Sequence, residues 1–254
     1  MPVYEMRATL FLDLLGFRSL IKARREKDIL EVLSIPPQIE FRNKPVPDFD
    51  FQVTAFSDCI VCSARILGRN NFLPAAYIAI YAGRLALEML ARGILVRGAI
   101  TVGKLYHQGQ TVFGPALIEA YELESRVAQY PRIIVPHKVY GRINMSLCVA
   151  LGVEWFIENE PCRQDFDGIY HLDIFGPFYI HNRPAALRLK TAPLLKHLGP
   201  ITTRVVRKLC GKQYKDPQIS TKYEWLRTYL ADCCTRFEWE ANRPRNRRYK
   251  SLAK

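Results

Sequence analysis

The sequence predicts an α+β fold, a mostly antiparallel sheet with helices packed on one face, followed by a helical C-terminal extension. Three observations predict it. Short apolar runs of strand length recur between Gly and Pro punctuation, and two of them are separated by only two residues. Longer segments with helical spacing of apolar residues stand between them. The resulting order, β-α-β-β-α-β-β-α-β, joins hairpins by single helical crossovers, which gives a sheet of ferredoxin-like character.

The first strand is Thr9 to Leu15, with Asp13 embedded in it, and Gly16 turns the chain into a helix from Ser19 to Leu33. A connector with Pro36, Pro37, Pro45 and Pro47 leads to a hairpin, Phe51 to Phe56 and Cys59 to Ser63, whose tip is Ser57-Asp58. Leu73 to Arg92 is apolar on all sides except at Arg84 and Glu88, as expected of a helix packed on a sheet, and Gly93 is its stop. Leu95 to Gly103 and Gln110 to Phe113 are strands flanking a loop with His107 and Gly109. Gly114-Pro115 opens a helix from Ala116 to about Gln129, Arg132 to Val135 is a strand, and Ile169 to Phe175 another. Two amphipathic helices are expected beyond, Pro184 to Cys210 and Ser220 to Trp239.

The 254 residues are 49% hydrophobic and 24% charged, which excludes disorder, and 16 Pro with 14 Gly exclude a low-complexity or collagenous chain. The net charge of +13 is abnormal and invites a nucleic-acid reading. Its distribution argues otherwise. Residues 1–182 carry 19 basic and 19 acidic side chains, whereas residues 183–254 carry 18 and 5. We therefore divide the chain into a neutral domain, 1–182, and a basic, mainly helical extension, 183–254. The run Arg243 to Lys250 reads more simply as a solvated terminus than as a nucleic-acid patch. Seven Cys is an odd number without a spaced framework, no apolar run reaches membrane-span length free of charge, and no export signal opens the chain. The expectation is a cytoplasmic protein. Cys59 and Cys62 are expected to be two buried thiols on opposite faces of a strand rather than a zinc pair.

Asp13 alone reads as a satisfied structural carboxylate, and Asp58 alone as an ordinary turn residue. Together they read differently. A carboxylate in an apolar strand is costly unless it is paired or holds a cation. If the first strand lies beside the hairpin, its end meets the tip, and two carboxylates suit hard cations such as Mg²⁺ or Mn²⁺. The helix opening at Gly16-Phe17 would turn free amides toward phosphate.

Four blocks, Phe11-Leu-Asp-Leu-Leu-Gly-Phe17, Phe56-Ser-Asp58, Val96-Arg-Gly-Ala-Ile-Thr-Val-Gly103 and Phe113-Gly-Pro-Ala-Leu-Ile-Glu-Ala-Tyr-Glu-Leu-Glu124, resemble in order and spacing the class III nucleotidyl cyclase catalytic domain. The resemblance covers residues 7 to 135. It implies two divalent cations, Mn²⁺ or Mg²⁺, on Asp13 and Asp58 with the Leu14 carbonyl assisting. It also implies phosphate contacts at Gly16 and Phe17, a substrate-side position for Phe11, and composite sites in a head-to-tail homodimer.

The departures from that pattern are informative. The two positions where purine cyclases read the base are Thr54 and Thr111, and two short hydroxyls do not offer the same bonds to a purine edge. The positions of the usual Asn and Arg are Ile118 and Glu122. Arg97 is left as the leading cation for the triphosphate, ahead of Arg126 and Lys104. His107, Gln108 and Gln110 are expected in a surface loop, and Tyr121 and Glu124 at packing and surface positions.

Metal aspartates kept and purine readers absent resemble the bacterial pyrimidine cyclases of the Pycsar antiphage system. That implies UTP to 3′,5′-cyclic UMP plus pyrophosphate, or CTP to cyclic CMP, with the product activating a downstream effector. The other readings are a purine cyclase with an unusual pocket and a nucleotide-sensing dimer without turnover.

Overall fold

The computed structural model of the chain describes residues 3–23, 26–38, 49–68, 71–151, 160–176 and 216–242. Its centre is β1 (Glu5–Leu15), in which side chains alternate between two faces. Ala8, Leu10, Leu12 and Leu14 are buried on one face, and Thr9, Phe11 and Asp13 point to the other. β1 lies between β3 (Cys59–Arg65) and β4 (Leu95–Gln108) and is antiparallel to both. β2 (Gln52–Phe56) forms the predicted hairpin with β3, and Ser57 at its tip adopts a left-handed φ of 56°. Beyond β4 come β6 (Ile133–Ile134), β8 (Tyr170–Leu172) and β7 (Cys162–Gln164), giving the order β2-β3-β1-β4-β6-β8-β7. The short β5 (Thr111–Phe113) pairs back on β4. β4–β6 is parallel and the other pairs are antiparallel, so the α+β class and the sheet character are as predicted.

The predicted first helix is two helices, α1 (Phe17–Ala23) and α2 (Glu26–Gln38). α2 runs through Pro36 and Pro37 instead of ending before them. The Tyr81 hydroxyl donates to the Pro36 carbonyl at 2.5 Å, supplying a partner in the helix's final turn. α3 (Leu73–Ala91) fills the core beneath the even face of β1, and Gly93, with φ 78°, follows it as expected. By length and composition α3 matches a membrane span, yet 78% of that stretch is buried inside the protein. α5 (His137–Leu151) and β7 were not predicted. Apolar residues recur in α5 at Val139, Ile143 and Leu147, but Gly141, Arg142 and Asn144 between them mask the pattern. β7 is too short to show a period.

The helices do not share one face, which corrects the predicted layering. α3, α5 and the C-terminal α6 (Pro217–Asn242) pack with the even residues of β1. α4 (Pro115–Glu122) lies on the opposite face, where Ala120 meets Phe11 and the Thr101 hydroxyl donates to the Ala116 carbonyl at 2.8 Å. Small residues permit this: a Cβ on Gly103 would sit 3.3 Å from that of Ala116.

α6 contains the predicted Ser220 to Trp239 helix and buries Trp225, Leu226, Tyr229 and Cys233 in the main core. Tyr229 donates to Asp173 at 2.6 Å, Trp225 Nε1 to Asp165 at 2.7 Å, and Arg163 pairs with Asp232 at 2.6 Å. The predicted Pro184 to Cys210 helix, the boundary at 182/183, Pro45, Pro47 and the run Arg243 to Lys250 lie outside the described residues.

Candidate functional site

Register builds the site. In the antiparallel ladders Asp13 stands opposite Cys59 on β3 and opposite Arg97 on β4, so all three side chains share the odd face. The Leu14 amide donates to the Asp58 carbonyl at 2.8 Å, tying the hairpin tip to the end of β1. Asp13, Asp58 and Cys59 consequently place one ligand atom each within 4.8 Å of one another. The two predicted carboxylates are brought together. Cys59 is an addition: it and Cys62 do face opposite ways, but only Cys62 is buried, and Cys59, half-buried, faces Asp13. The signal was present in the spacing, because position 59 shares a face with Asp13 once β3 pairs with β1.

Burial raises the Asp13 pKa, opposed by the Arg97 charge and reinforced by Asp58. Cys59 is pushed up to about 11, by burial first and then by the adjacent carboxylates. Two carboxylates in this cluster suit a hard divalent cation. Arg97 Nε lies 3.3 Å from Asp13 Oδ2 and also ion-pairs with Glu124.

No protein-family model and no curated protein matches this sequence. Among solved structures the chain is similar to the adenylyl cyclase CyaB from P. aeruginosa, with a TM-score of 0.44 at 16% identity over 66% of this chain and 94% of that one. It is similar also to a guanylyl cyclase, with a TM-score of 0.41 at 13% identity over 67% and 92% of the two chains. A third is an adenylate/guanylate cyclase/hydrolase from Silicibacter pomeroyi, with a TM-score of 0.36 at 16% identity over 66% and 94%.

The remaining predicted residues divide by location. Gly16, with φ 78°, makes the turn into α1, and its carbonyl takes the Ser19 and Leu20 amides at 2.9 and 3.0 Å. The first amides of α1, at Phe17 and Arg18, have no acceptor within the helix. Phe11 is buried one register step from Asp13, edge-on to Tyr121. Ile118, Glu122 and Tyr121 face outward, Glu122 pairing with Arg126 at 3.6 Å.

Thr54 and Thr111 differ sharply. Thr111 is exposed, whereas Thr54 is buried in a polar relay that the sequence did not reveal. Arg7 donates to Ser63 Oγ at 3.2 Å, Ser63 Oγ and His107 Nδ1 are 2.9 Å apart, His107 Nε2 and Thr54 Oγ1 2.8 Å, and Thr54 donates to the Gly109 carbonyl at 2.7 Å. Arginine only donates and a carbonyl only accepts, so each hydroxyl's single proton sets the direction. Ser63 donates to Nδ1, and His107 donates through Nε2 as a neutral imidazole. His107 is therefore not in a surface loop. β4 continues through it to Gln108, and it is 4% exposed. Nor is Glu124 a surface position: it is 3% exposed, in a π-helical turn (Leu123–Val127) that follows α4.

Proposed function

We propose that the chain is a nucleotidyl cyclase of the class III type that converts UTP to 3′,5′-cyclic UMP and pyrophosphate. The observation that carries this is the convergence of Asp13 and Asp58 beside Arg97 at the end of β1. Asp13, Asp58 and the Leu14 carbonyl would hold two divalent cations, Mn²⁺ or Mg²⁺. When bound, these supply acidification of the ribose 3′-hydroxyl and charge neutralisation on the triphosphate.

The chain's own groups do the rest. Arg97 faces the departing pyrophosphate with a planar fork of donors, and the amides at Gly16 and Phe17 receive phosphate oxygens. Holding the 3′-hydroxyl in line with the α-phosphorus is the larger part of the acceleration, since phosphoryl transfer depends mainly on positioning and electrostatics. Thr54 and Thr111 line the base side. Because the Thr54 proton is committed to Gly109, its hydroxyl has only a lone pair to offer, which suits the N3–H of uracil. The exposed apolar side chains Phe56, Ile118 and Tyr121 fit a second copy that completes the site, and the cyclic product would act on a cyclic-nucleotide-activated effector in antiphage defence.

The test is incubation of purified protein with each of the four nucleoside triphosphates and Mn²⁺, followed by chromatography of the products. Cyclic UMP is the expected main product, cyclic CMP the nearest alternative, and a purine product would overturn the pyrimidine assignment. Asp58→Ala should abolish turnover. Product persisting in that variant refutes the metal assignment, and no product from any nucleotide favours a nucleotide-sensing role.

A further inference from the structure

Glu124 is a carboxylate almost wholly withdrawn from water, a costly placement unless a partner requires it. Its partner is the Nε of Arg97, the same nitrogen that lies 3.3 Å from Asp13 Oδ2. A guanidinium carries one N–H at Nε and four on its terminal nitrogens. The Nε–H is donated to Asp13, so Glu124, whose Oε1 has no hydrogen-bond partner among the described residues, holds Arg97 as an ion pair. The contacts Arg97 makes among the described residues use Nε, and its side chain is 24% exposed, which leaves the terminal nitrogens uncommitted among those residues. The local helix geometry is independent support. At Leu123 the chain leaves α-helical register, and the Ala128 amide bonds the Leu123 carbonyl at 2.9 Å across a π-helical turn. Such turns are rare and cluster at functional positions. Glu122 just before faces solvent, and Glu124 in the π turn faces the sheet.

We infer that Glu124 is a positioning residue that anchors Arg97 by its charge, keeping the two terminal nitrogens preset as a donor pair for a polyphosphate bound beside Asp13 and Asp58. Asp13 cannot do this alone, since a cation on Asp13 competes with Arg97 for the same carboxylate. Glu124 gives the guanidinium a second anchor that the cation does not need. The inference rests on reading this site as one that binds polyphosphate.

The experiment is a double-mutant cycle on the full chain with Mn²⁺ present, measuring inorganic tripolyphosphate binding by calorimetry, with melting curves to confirm folding. Glu124→Gln keeps the shape and removes the charge, and Glu124→Leu also removes the acceptor. At least one of them is expected to weaken tripolyphosphate binding about tenfold, within the range usual for energetic coupling between a positioning group and a ligand site. In the Arg97→Ala background the same change should cost nothing more. KM for the nucleotide should rise further than kcat falls. If Glu124 changes weaken binding equally with and without Arg97, or if neither variant weakens it, the inference is overturned. If the wild-type protein with Mn²⁺ fails to bind tripolyphosphate, the reading of the site itself falls and takes the inference with it.

Discussion

His107 shows how one buried side chain sets a pH limit. Burial first, and then the Arg7 charge, lower its pKa from 6.5 to about 4. The unfolded chain takes up this proton near 6.5 and the folded chain only near 4. The contribution is thus complete above about pH 6.5 and is lost as pH falls toward 4. Urea unfolding at pH 7 and pH 5 is expected to show a marked loss of stability for the wild type and a smaller one for His107→Gln, and an unchanged acid limb in that variant would contradict the relay. Asp13 was legible because a charge in an apolar strand is conspicuous, and Asp58 because it stands at the tip of the neighbouring hairpin. Arg7, Ser63, His107 and Thr54 were not, since they lie on separate strands and their bonds depend on how far the β4–β5 hairpin reaches across the sheet.

Two elements hold the site in register. β1 and β4 approach so closely at Gly98 that an added Cβ would stand 2.1 Å from the Phe11 carbonyl oxygen. Gly98→Ala must push the strands apart next to the Asp13–Arg97 pair, and we expect a cost of about 3 kcal/mol and a loss of Mn²⁺ affinity, measured by denaturation and metal titration. α6 braces the far edge of the sheet. Trp225→Ala removes a ring that stacks on Tyr130 and meets His171 and Tyr229, and it also removes the donor to Asp165. The expected cost is about 3–5 kcal/mol by thermal melting, and a change under about 1 kcal/mol would show that the helix is not part of the core. The strands and long helices of the first half were readable because their apolar periods are regular. α5, β7 and the break between α1 and α2 were not, being short or interrupted by polar residues and settled by packing.

At the scale of the molecule, the proposed composite site requires a second copy, and sedimentation equilibrium is expected to give a dimer that Ile118→Asp, at an outward-facing position on α4, dissociates together with activity. A fully active monomer would overturn the composite site. The sequence by itself determined the α+β class, the hairpin, the order of the first strands and helices, and the separation of the basic excess from the neutral part of the chain, because these depend on local period, turn chemistry and charge counts. Tertiary structure alone decided that α4 crosses to the other face, that Cys59 joins the two aspartates, that Thr54 is committed to His107 and Gly109, and that Glu124 turns inward to Arg97. The physical reason is shared by all four. Each depends on strand register or on close approach between small residues on different elements, and neither is written in any contiguous stretch of the chain.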